Sequence, residues 1–127
     1  MTDEQKVEVI RTYIECYNAF DVEGMLELLN EGIVFENVSD GKVTANANGI
    51  DEFRSMAEQG RVLFSEREQV IDEMVTMGEK MVVKIFYTGR LAIDLPNGLK
   101  AGQELSLRGT SEFEFADGKI VRLTDIS

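Results

Sequence analysis

The hydrophobic positions change period once along the chain, near residue 65, from helical spacing to alternation. Val7, Ile10, Ile14 and Tyr17 recur at three- and four-residue intervals, and Tyr13, Cys16 and Phe20 widen the stripe. This predicts an amphipathic helix over 3–19 with its apolar side on a core. Thr2-x-x-Gln5 is a capping box at its start, in which each side chain satisfies a free backbone donor. Asp21 caps a second helix, 21–30, carrying Val22, Met25, Leu26 and Leu29, and Asn30-Glu31-Gly32 reads as its stop. Residues 33–38 alternate, with Ile33, Phe35 and Asn37 on one face. The polar, small-residue segment 39–48 reads as a loop, and a third helix over 49–64 carries Ile50, Phe53, Met56, Ala57, Gly60, Leu63 and Phe64. Strands follow over 66–77, 80–94, 103–116 and 119–126, with turns at Gly78-Glu79, Pro96-Asn97-Gly98 and Asp117-Gly118. The expectation is one α+β domain over 1–127, with three helices on one face of a curved antiparallel sheet.

The same alternation selects candidate chemistry. On 103–116, Leu105, Leu107, Ser111, Phe113 and Phe115 share a face, and Ser111 is its odd polar member. On the last strand Val121, Leu123 and Asp125 share a face. A carboxylate there, desolvated by Leu123, Phe35 and Phe113, would have a raised pKa and could take a proton or activate water. The competing reading is a frayed strand end with a solvated Asp125, or a structural pair with an arginine. Asn37 can donate and accept hydrogen bonds but cannot serve as a base. Tyr13 and Tyr17, four residues apart, are either donors to a bound molecule or packing groups with wet hydroxyls. Arg54, Arg61 and Arg67 are expected at the solvated surface. Arg90 stands opposite the apolar row Ile85, Tyr87, Leu91 and Ile93, unless Gly89 marks a bulge that turns it inward. On the sheet's outer face, Val70, Met74 and Thr76 form a row apolar enough to suggest a homodimer contact.

Composition narrows the function classes. The net charge of −11 disfavours phosphate backbones, and no basic run offsets it, so no nucleic-acid partner is expected. The chain has no histidine, which removes a Ser-His-Asp triad and histidine-ligated zinc. Cys16 is the single cysteine, within an apolar pattern that suits a structural thiol. No metal or cofactor motif stands out. The N-terminal stretch lacks a cationic segment followed by an apolar one, and no apolar run reaches membrane-spanning length. A cytoplasmic protein with no membrane partner is expected.

Tyr13, Asn18-Ala19-x-Asp21, Phe35-Glu36-Asn37, Gly49-Ile50-x-x-Phe53, Ser111-x-Phe113-x-Phe115 and Asp117-Gly118-Lys119-Ile120 follow one another in a familiar order. Together they resemble the nuclear transport factor 2-like superfamily, which includes ketosteroid isomerases, SnoaL-like polyketide cyclases and limonene-type epoxide hydrolases. The resemblance implies a cone-shaped fold, a bent sheet enclosing a mostly apolar pocket, and often a homodimer. Tyr13 matches the oxyanion tyrosine of the isomerases. Asn37 and Ser111 stand where those enzymes carry acids, which argues against their steroid chemistry. In the epoxide hydrolases the positions of Asn37 and Asp125 hold a water-binding asparagine and a water-activating aspartate. The reading that follows is a pocket for a small apolar molecule, cofactor-free. Asp125, Asn37 and Tyr13 are its catalytic candidates, and Tyr17, Phe35, Phe53, Met56, Ser111, Phe113 and Leu123 its binding candidates. An isomerase, lyase, cyclase or hydrolase and a non-catalytic carrier both fit it. For an enzyme, Asp125→Asn is expected to abolish turnover and leave stability nearly unchanged.

Overall fold

A computed structural model describes residues 1–127. Helix α1 (Asp3–Asn18) begins at the capping box: the Gln5 amide donates to Thr2 Oγ1 at 3.1 Å, and the Thr2 amide donates to Gln5 Oε1 at 2.9 Å. Ile10, Tyr13 and Ile14 are its buried residues. Helix α2 (Val22–Glu27) starts at Asp21, whose carboxylate accepts from the Gly24 amide at 2.9 Å. Gly24 is needed there for close approach, since a Cβ would sit 2.7 Å from Cys16 Sγ.

The expected stop at Asn30-Glu31-Gly32 is overturned, because those residues already belong to strand β1 (Leu29–Ser39). Pairing with the end of the chain overrides the local signal: the Ile120 amide donates to the Leu28 carbonyl at 2.9 Å, and Leu29 is fully buried. The expected loop over 39–48 is also overturned. Asp40 and Gly41, with φ of 52° and 77°, form a tight turn, and strand β2 (Lys42–Asn48) runs back along β1. β2 is a sheet edge, and Ala47 is its one buried residue, so the alternation that marks a half-buried strand is missing.

Helix α3 (Ile50–Arg61) follows, shorter than expected, with Phe53 buried. Strands β3 (Phe64–Met77), β4 (Lys80–Leu91), β5 (Glu104–Ala116) and β6 (Lys119–Ile126) complete the sheet. β4 stops at Leu91, short of the expected 94, where the turns around Pro96 begin. The six strands lie in the order β2-β1-β6-β5-β4-β3. β3 to β6 form the expected antiparallel meander, but β1 pairs parallel to β6, so the sheet is mixed rather than wholly antiparallel. α1 packs on β3, and α3 on β1 and β2. Ile10, Ile14, Met25 and Leu26 meet Ile33, Val83, Phe113 and Leu123 in one core. No helix is long and apolar enough to cross a membrane.

A register shift between Ile71 and Glu73 splits the expected outer row. Val70 is exposed beside its cross-strand partner Phe86, whereas Met74 turns toward the core and Thr76 donates to Met81 Sδ.

Candidate functional site

Between the helices and the sheet lies a cavity of about 530 Å³, lined mainly by hydrophobic side chains. Tyr13, Tyr17, Phe35, Asn37, Phe53, Met56, Ser111 and Asp125 all contribute to its wall. Phe113 and Leu123 do not. They share the inward face but lie fully buried in the core, where α1 covers that part of the sheet and Phe113 meets the Tyr13 ring edge-to-face at 6.0 Å.

Asp125 is held from both sides by strand pairing, opposite Asn37 on β1 and Ser111 on β5. The strand does not fray: the Ser127 amide donates to the Val38 carbonyl at 2.8 Å. Ser111 is buried, and its hydroxyl donates to Asp125 Oδ1 at 2.7 Å, the length of a charge-assisted bond. No cation pairs with Asp125. Its remaining surface opens on the cavity, deep among protein atoms. Burial pushes the carboxyl up from 3.8 to about 6, and the Ser111 bond pulls it partway back.

Asn37 lines the cavity beside Asp125 without hydrogen-bonding to it. Its amide donates to Thr44 Oγ1 at 2.8 Å, and the Thr44 hydroxyl donates to the Asn37 carbonyl at 3.3 Å. That partner sits on the strand the sequence pattern did not reveal. Every fully buried side-chain polar atom has a hydrogen-bond partner. The Tyr13 hydroxyl has none and is therefore in contact with the cavity. Burial, reinforced by the nearby Asp125 carboxylate, holds Tyr13 well above the ordinary phenol range, so it stays a protonated donor.

At the other side of the cavity, the Tyr17 hydroxyl donates to the Tyr87 hydroxyl at 3.2 Å, and burial raises both phenols. Arg67 lies against them. Its expected place at the solvated surface is overturned: it is only 8% exposed, its guanidinium stacks 3.7 Å from the Tyr17 ring centroid, and its Nε donates to the Tyr17 carbonyl at 2.9 Å. The Asn18 side chain fixes this end of α1 to β3, accepting from the Gln69 amide at 2.7 Å and donating to its carbonyl at 3.1 Å. Arg67, Gln69 and Tyr87 are cavity residues that sequence reasoning did not select. Arg67 shares the period-2 row of Gln69 and Ile71, which was the signal available.

Arg90 is not part of the site. β4 and β5 stay in register through Gly89, and Arg90 points outward toward Glu66 and Glu104 at 3.6 and 3.9 Å. No three acidic or thiol side chains converge as metal ligands.

Residues 10–123 match the profile of the SnoaL-like domain. A proposed polyketide cyclase from Xanthomonas campestris pv. campestris has the same fold, with a TM-score of 0.81 at 21% identity over 98% of this chain and 90% of that one. AclR from Streptomyces galilaeus, a proposed hydroxylase, has a TM-score of 0.76 at 18% identity over 98% and 89%. A protein with a ketosteroid isomerase-like fold from Catenulispora acidiphila, solved with trimethylamine, has a TM-score of 0.75 at 10% identity over 93% and 83%. At these identities the likeness bears on fold alone. No curated protein matches the sequence. The profile spans nearly the whole chain, over an architecture shared with ketosteroid isomerase-like proteins, and the chain belongs to the SnoaL-like domain family.

Proposed function

We propose that the cavity is a cofactor-independent active site for a small, mainly apolar carbonyl compound, with Asp125 as the base. The observation that carries this reading is the Asp125 carboxylate: it faces an apolar cavity, is oriented by Ser111 and has no counter-charge. With a pKa of about 6, it is largely ionised at neutral pH, yet basic enough to accept a proton. It would take a proton from the carbon next to the carbonyl. The electrons of that C–H bond pass to the carbonyl oxygen as an enolate. The Tyr13 hydroxyl donates to that oxygen where negative charge develops. Where the enolate is conjugated with a C=C bond, return of the proton from Asp125 to the far carbon gives isomerisation. Where it attacks a second carbonyl carbon of the same molecule, that C=O π bond opens to an alkoxide, which takes the proton back from Asp125, and cyclisation results. Asn37 orients the carbonyl or a water from beside the base. Profile membership and the cyclase-like neighbour support this class, and the residue roles rest on the geometry of this chain.

A carrier reading is favoured by one observation: Asn37 is engaged by Thr44 rather than aimed at Asp125. The two readings separate experimentally. A thermal-shift and native mass spectrometry screen of small apolar ketones, esters and epoxides identifies a ligand. Turnover of that ligand by wild type is then compared with Asp125→Asn, which keeps the shape and cannot take a proton. Loss of turnover with retained binding is expected, and kcat/KM should rise with pH through about 6 as the base ionises. Full activity in Asp125→Asn overturns the assignment of the base, and binding with no turnover by wild type favours the carrier.

A further inference from the structure

Arg67 is a buried cation without an anion. It takes part in none of the protein's ion pairs, although the chain carries 24 acidic residues. A guanidinium has five N–H donors, and here only Nε–H has a protein partner. Fully buried polar atoms in this protein are all satisfied, so the terminal Nη groups keep accessible surface, and Arg67 is one of the residues lining the cavity. The rings of Tyr17 and Phe20, 3.7 and 4.5 Å from its Cζ, hold the guanidinium in place. Stacking offsets part of the cost of burying the charge but leaves the planar donor fork free.

Asp125 does not neutralise Arg67. No salt bridge joins the two, and both charges act on Tyr13 and Tyr17, which line the same cavity. Asp125 stands on β6 and Arg67 on β3, three strand steps apart. The register also sets them six residues apart along the strands, since Arg67 lies in the row of Gly89 and Leu105 whereas Asp125 pairs with Ser111, so the separation along a flat sheet is roughly 24 Å, and less across a bent one.

We propose that Arg67 binds an anionic oxygen pair, such as a carboxylate, on the molecule that fills the cavity. The ligand class is then an amphipathic organic acid. Its anionic head sits on the guanidinium fork beside Tyr17 and Tyr87, and its apolar body runs toward Phe35 and Phe53. This inference rests on the reading of the cavity as a binding site, and it narrows the ligand from any small apolar molecule to one with an acidic end.

The test uses two probes of nearly equal shape, 2-naphthoate and neutral 2-naphthamide, titrated calorimetrically into the full-length protein. Wild type should bind the naphthoate at least tenfold more tightly, with a preference that shrinks as salt is raised. Arg67→Met should abolish the preference and leave naphthamide affinity within about threefold. Arg67→Lys keeps the charge and loses the fork, and should keep part of the preference; if Arg67→Met does not fold, this variant and the wild-type salt dependence decide. Asp125→Asn should still prefer the naphthoate, which separates this inference from the assignment of the base. Equal affinity of wild type for both probes overturns the role of Arg67 alone. Binding of neither probe overturns this inference together with the binding reading beneath it.

Discussion

Asp125→Asn should stabilise the protein at neutral pH, and the gain should vanish on acidification. Folding raises the carboxyl from 3.8 to about 6 by desolvation. The native state therefore binds this proton more tightly than the unfolded chain does. Above pH 6 the native state must hold an ionised carboxylate in a poor environment, and this cost is fully present from about pH 7 upward. The cost falls as the pH drops from 6 toward 3.8, and below about pH 3 both states are protonated and it is gone. A difference of about two pH units corresponds to ~3 kcal/mol. The cavity gives the carboxylate some contact with solvent, so the gain expected from the amide is ~1–3 kcal/mol. For a chain of this length that is a rise in Tm of roughly 3–10 °C. The amide can still accept from the Ser111 hydroxyl, so the swap leaves no orphaned donor. Thermal unfolding of both proteins at pH 8 and pH 4.5 provides the assay. The other carboxylates are common to both proteins and cancel in the difference. A variant that is no more stable than wild type at pH 8, or a gap that stays the same at pH 4.5, would refute the desolvation argument. Read from sequence alone, the same substitution left stability nearly unchanged; the burial of the carboxylate turns it into a gain.

Ser111→Ala removes the bond that holds the Asp125 carboxyl down, so the acid limb of the pH–rate profile should move above 6, with lower activity at pH 6.5. Activity across pH 5–9 checks it, and an unmoved limb would mean that Ser111 does not tune the base. Asn37→Ala should lower kcat by roughly one to two powers of ten, because it removes positioning and leaves the base in place; a steady-state comparison at saturating ligand reads this directly. The homodimer proposal now rests on the exposed cross-strand pair Val70 and Phe86, with Arg108 over the Phe86 ring. Light scattering at micromolar concentration should give twice the mass of 14.3 kDa for wild type, and half that value for Phe86→Glu. A monomeric wild type would remove the proposal.

Most of the fold was legible because each element that faces the core repeats at its own period. α1, α3 and the meander bury apolar side chains, and burial writes a pattern. β2 was illegible for the same reason: an edge strand with one buried residue carries almost no pattern. Its only local sign was the Asp40-Gly41 turn, the same dipeptide chemistry as Asp117-Gly118. Losing β2 meant losing Thr44, and with it the partner that turns the Asn37 amide away from Asp125. Phe113 and Leu123 were misplaced because alternation tells which face a residue takes, not whether a helix or a cavity covers that face. Arg67 was misread because charged residues in a strand are usually exposed. What buries it is tertiary: the end of α1 folds over β3 through Asn18 and lays the rings of Tyr17 and Phe20 against the guanidinium.

The sheet order explains why the cavity keeps two unneutralised charges. A carboxylate and a guanidinium on adjacent strands would meet and cancel, leaving an ion pair whose desolvation cost about equals its attraction. Here β5 and β4 stand between β6 and β3, and Tyr13 and Tyr17 line the same cavity as both charges. The interior is mostly apolar, so little screens the field that runs from one pole to the other. A ligand with an acidic head and a polarisable carbonyl has one favourable orientation in that field: head to Arg67, and the carbon next to the carbonyl toward Asp125. Reversal would bring two negative charges together at Asp125 and leave the guanidinium without a partner. On the proposed reading, orientation by Arg67 and proton transfer by Asp125 are separable functions of one cavity. The difference shows in kinetics on an acidic substrate. Arg67→Met should act mainly on KM and on which isomeric product forms, whereas Asp125→Asn should act on kcat. Should Arg67→Met lower kcat as far as Asp125→Asn does, with KM unchanged, the guanidinium would be acting on the reacting atoms themselves, and this division of roles would be wrong.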